Sequence, residues 1–138
     1  MKLKTWIKFG LLLVTLLAGM PRASAQGLVA ASDISRSLTS TNAFTAVSRG
    51  SRVFTVFVHN TSASDLYLHV FNTTSTPANG TRPAFSPVVI LAGKGGGYDF
   101  GSYGAPLGTG VTVCTSTTDL TLTNSTASFD VTVIYTPR

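Results

Sequence analysis

The 138-residue chain carries ten lysines and arginines against five acids, yet Lys2, Lys4, Lys8 and Arg22 crowd its start and account for most of the formal +5 charge. Beyond them Arg36, Arg49, Arg52, Arg82, Lys94 and Arg138 stand singly against five aspartates and no glutamate, so the basic stripe needed to displace counterions from nucleic acid is missing. Cys114 is the single cysteine, which excludes an intrachain disulfide, and the dominance of Thr, Ser, Gly and Val disfavours long helices.

Met1 to Lys8 is a lysine-rich, acid-free start, and an apolar run from Phe9 to Met20 follows it. Pro21 breaks any continuing helix, and Ala23-Ser24-Ala25 offers small residues at both positions a signal peptidase must accommodate. Residues 1–25 therefore read as a secretory signal of bacterial type, cut before Gln26; the alternative is an uncleaved anchor. About a dozen apolar residues fall short of the roughly twenty that span a bilayer as a helix, so no stable membrane insertion is expected after cleavage. The remainder, 26–138, is long enough for one domain with one core.

Gln26 to Ala31 is a short apolar start, and 33–47 suggests two short or irregular strands around Ile34, Leu38, Phe44 and Val47. Arg52–His59 and Leu66–Phe71 are dense in β-branched and aromatic residues, and the polar link between them reads as a hairpin turn. A register placing Phe54, Val56 and Val58 on the face of Leu66, Leu68 and Val70 makes one side wholly apolar. Thr73–Ser86 reads as a long loop, Pro87–Leu91 as a short buried strand, and Gly93–Gly97 as a hairpin-like turn into Tyr98-Asp99-Phe100. Val111–Thr115, an alternation at Leu120 and Leu122, and Phe129–Tyr135 complete about eight strands. Such spacing predicts an all-β fold: a single antiparallel β-sandwich, jelly-roll or immunoglobulin-like.

Motifs for chemistry are sparse. Lys94 is followed by glycines and a strand, whereas a phosphate loop needs Gly-Lys-Ser/Thr opening a helix. In the hairpin register His59 and His69 share a face but lie roughly 13 Å apart, too far for one metal ion. No Gly-x-Ser-x-Gly elbow occurs, and the aspartates are spread through separate turns and strand ends. An enzyme is not expected, nor a metal or cofactor. Sequons at Asn60, Asn72, Asn79 and Asn124 are glycan acceptors only in a eukaryotic secretory route. Cys114 reads as a small buried side chain or, more sharply, as an intermolecular disulfide partner. The best surface for a partner or ligand is the group Phe57, His59, Tyr67, His69, Phe71, Tyr98 and Tyr103, although rings of this kind also fill the space between sheets.

Over about Arg52 to Pro137, at Leu66–Asn72, Tyr98–Phe100, Gly110–Thr117 and Val131–Tyr135, the chain resembles small β-sandwich proteins known from bacteriophage virions, prophage regions and bacterial secreted proteins. The resemblance implies a structural or attachment role without catalytic residues; the signal segment departs from virion components, which assemble in the cytoplasm, and fits a secreted relative. The function expected is therefore an exported, non-enzymatic structural or adhesive subunit at the cell surface, secreted or periplasmic, self-associating through a sheet edge. Its alternative is a carbohydrate-binding module that binds surface glycan on an aromatic sheet face; a small hydrolase stands third.

Overall fold

The computed structural model describes residues 32–138. The signal segment at 1–25 and the apolar start at 26–31 lie outside the described residues. Nine strands follow in order: β1 (Asp33–Thr41), β2 (Ala43–Val47), β3 (Ser51–Asn60), β4 (Leu66–Phe71), β5 (Val88–Ile90), β6 (Gly95–Asp99), β7 (Ala105–Leu107), β8 (Val111–Ser116) and β9 (Ser128–Pro137). Every pairing between them is antiparallel.

One sheet has the order β1-β9-β3-β6, with β7 also on β3, and the other β2-β8-β4-β5. The chain thus crosses between sheets at almost every connection, and the interleaved order is the double Greek key of a jelly roll; in an immunoglobulin fold the first two strands share a sheet. The ninth strand arises where the turn at Gly101–Gly104, both at positive φ, splits one strand into β6 and β7, which pair with successive stretches of β3.

The strands at 33–47, 52–59, 66–71, 88–90, 111–115 and 129–135 fall where composition places them, but the hairpin does not exist. β3 pairs with β9, β6 and β7, while β4 pairs with β8 and β5 in the opposite sheet. Val56, Val58, Leu66, Leu68 and Val70 are all buried as expected, yet the two apolar faces meet across the sandwich instead of lying side by side. Alternation dictates which side of a strand is greasy, and both arrangements satisfy that condition. Five linking residues suffice to arch over the roughly 10 Å between stacked sheets. Phe54 is a second departure: a register shift between Val53 and Thr55 puts Val53 into the core and leaves Phe54 half-buried.

The Gly93–Gly97 segment likewise differs from a hairpin turn. The reversal sits at Leu91–Lys94, where the Lys94 amide donates to the Leu91 carbonyl at 3.0 Å, and carries the chain from β5 in one sheet to β6 in the other. Leu120 and Leu122 belong to a loop, with one bridge between Ser116 and Asn124.

Buried Val, Leu, Ile and Phe from both sheets fill the space between them, each contributing about 1.5–3 kcal/mol when fully buried. A second small cluster of Phe71, Cys114 and Leu122 sits on the outer face of β4 and β8. Two loops roof it and are stitched together: Gly80 donates to the Leu122 carbonyl at 2.8 Å, Leu122 to the Thr81 carbonyl at 2.8 Å, and the Asn124 amide to Asn79 Oδ1 at 2.9 Å.

Candidate interaction surface

The structure divides the seven residues of the expected partner surface among four places. Phe57 and His59 lie on the outer face of the β1-β9-β3-β6 sheet, exposed. Tyr67, His69 and Phe71 lie on the outer face of the other sheet, where the loops cover Phe71 and leave His69 0% exposed. The two histidines thus sit on opposite sheets. Tyr98, opposite the buried Val56, points inward; its hydroxyl lies 2.8 Å from the Ser86 carbonyl and 3.2 Å from that of Leu68, and its ring stacks on Phe100 at 5.5 Å. Burial pushes the Tyr98 phenol up to about 12. Tyr103 projects from the β6–β7 turn at 85% exposure, its carbonyl accepting from Arg52.

The covered histidine is unusual in that neither ring nitrogen has a hydrogen-bond partner. Desolvation lowers its pKa from the ordinary 6.5, and the Thr118 and Asp119 backbone and the Asp119 carboxylate oppose this only in part. Its cross-strand neighbour Cys114 is wholly buried and its thiol is pushed up to about 12 by burial. A thiol so placed offers no sulfur to a neighbouring chain, which removes the intermolecular disulfide. Asn60 is fully buried, which removes that sequon from the folded surface.

What remains open is the other outer face, and register defines it row by row. One row runs Ile34, Ile134, Thr55, Asp99; the next runs Arg36, Thr132, Phe57, Gly97; the third holds Asp130, His59, Gly95. Ile34 is 66% exposed and Phe57 49% exposed, with the tip of the Phe57 ring lying over Gly95. His59 Nδ1 stands 3.9 Å from Asp130 Oδ2, and Asp130 Oδ1 accepts from the Thr39 amide at 2.9 Å. Sequence reasoning named Phe57 and His59 but missed Ile34, Arg36, Thr132 and Ile134, because only the pairing of the two most distant strands brings them alongside.

Chemistry-bearing clusters are few among the described residues, where no three His, Cys, Asp or Glu side chains converge as metal ligands. Two open hollows flank the Thr73–Pro87 loop: one of about 420 Å³, lined by Phe71, Thr73, Pro77, Thr81 and Arg82 among others, and one of about 290 Å³ between Arg82 and Leu120. Neither holds a paired acid and base. The chain matches no protein-family model, no curated protein and no solved structure. Its own geometry must therefore carry the functional reading.

Proposed function

We propose that this chain is an exported, non-enzymatic β-sandwich subunit that acts through its surface, as an extracellular structural or adhesive component assembling by a sheet edge. The observation that carries the reading is the contrast between the two outer faces. Loops roof one sheet, while among the described residues nothing covers the other, which ends in β1, an edge strand with Ile34 at 66% and Leu38 at 61% exposure. Open edges with apolar side chains are places where another chain adds a strand. The Gly27–Ala30 segment of a neighbouring copy, apolar and just before β1 in sequence, supplies the added strand in this reading. Size-exclusion chromatography of the exported protein tests it: concentration-dependent assembly into species larger than a dimer is expected, and deletion of residues 26–32 should abolish those species. A strict monomer at every concentration would count decisively against it.

A carbohydrate-binding role is the second reading, supported by Phe57, an aromatic ring exposed among the described residues beside Thr132 and His59. A glycan array separates the two readings. Binding lost in Phe57→Ala and kept in Tyr67→Ala, on the opposite sheet, supports the module.

A further inference from the structure

We infer that the bare outer face of the β1-β9-β3-β6 sheet, as distinct from its β1 edge, is an isologous interface for a second copy of this chain. The first two rows of its centre are apolar and weakly polar, with Ile134, Thr132 and Phe57 flanked by Ile34, and the third row carries Asp130 and His59. Its two margins carry opposite charges. Arg36 stands on β1, and Asp99 stands on β6 at the far side of the sheet.

That distribution makes the surface complementary to itself. A two-fold axis lying in the interface along the strands sets β1 of one copy over β6 of the other, and the reverse. Arg36 then lies over Gly97 of the second copy, where the absence of a side chain leaves room beyond Phe57. Asp99 of that copy lies two residues further along the strand, about 7 Å away and within the span of an arginine side chain. One Asp99 oxygen accepts from the Gly101 amide at 2.8 Å, which leaves the other free. Arg36 forms no ion pair among the described residues, where the recorded pair is His59 with Asp130. Symmetry makes the contact twice. Four strands about 4.8 Å apart and five residues deep give a footprint of roughly 300–400 Å², so the dimer is a weak and reversible one.

Charge reversal tests this on the exported protein by sedimentation velocity. Wild type should dimerise reversibly, and deletion of residues 26–32 should leave that dimer intact, which separates the face from the edge. Arg36→Asp alone and Asp99→Arg alone each place like charges together twice and should weaken dimerisation about tenfold or more. An equimolar mixture of the two variants restores both pairs and should dimerise as wild type does. Circular dichroism verifies that each variant is folded. Should Asp99→Arg fail to fold through loss of the Gly101 contact, Phe57→Glu provides a second route and must also give a monomer. A monomeric wild type, single variants that still dimerise, or a mixture without recovery would each overturn the inference. So would a monomer that binds a glycan saturably and loses it in Phe57→Ala.

Discussion

Asn60 shows how one side chain fastens the sandwich. Fully buried at the end of β3, it donates to the Ser64 carbonyl at 2.7 Å and the Ile90 carbonyl at 3.1 Å, and its Oδ1 accepts from the Ser62 amide at 2.9 Å. These bonds hold the arch between sheets and the end of β5 together. Asn60→Ala leaves the buried Ile90 carbonyl without this partner and should cost about 1–3 kcal/mol in denaturant titration. His69 acts through what it lacks. Burial lowers its pKa, so as pH falls below about 6.5 the unfolded chain takes up a proton before the folded chain does. Its contribution is therefore complete above that pH and declines below it, with a slope of at most about 1.4 kcal/mol per pH unit. Denaturation midpoints compared at about pH 7.5 and about pH 5 should fall more in wild type than in His69→Leu. An equal fall in both would show that His69 does not carry the acid sensitivity.

At the scale of elements, the sequence was legible wherever β-branched and aromatic residues ran unbroken. Leu66–Phe71 and Val111–Ser116 are strands as their composition demands, and β9 buries Phe129, Val131 and Val133 in strict alternation. Partner choice was not legible, since a strand's pattern records burial and says nothing of which strand lies beside it. β7 escaped because Pro106 and two flanking glycine turns hide three residues of pairing. The covered part of the expected surface escaped for a similar reason: His69 and Phe71 look outward along β4, and loops distant in sequence, that of Leu122 among them, bury them. β6 illustrates a glycine run that belongs to a strand. A side chain at Gly97 would collide with the Val56 carbonyl, so Gly97→Val should displace β6 from β3 and cost about 1–3 kcal/mol. Gly93→Ala, with open space around it but φ of +66°, should cost less. Thermal unfolding of the two variants gives the comparison.

For the whole molecule, the decisive pairing is that of β1 with β9, which joins Asp33 to Tyr135 across nearly the entire described chain. Contacts so distant in sequence must wait for loop closure, and refolding in stopped flow should occupy the millisecond-to-second range typical of all-β sandwiches rather than microseconds. Because β9 lies between β1 and β3, truncation before Ser128 should abolish the fold altogether, seen as loss of the β-type circular dichroism spectrum. The same pairing has a mechanical consequence. The start of β1 and the end of β9 leave the domain side by side, so tension applied across them loads one rung at a time and unzips the pair at low force. In the assembly proposed above, tension passing from a neighbouring copy along the length of β1 would shear many rungs together. The fold is thus soft when tugged by its own two ends and, if the proposed β1 assembly forms, stiff when hauled by a neighbour.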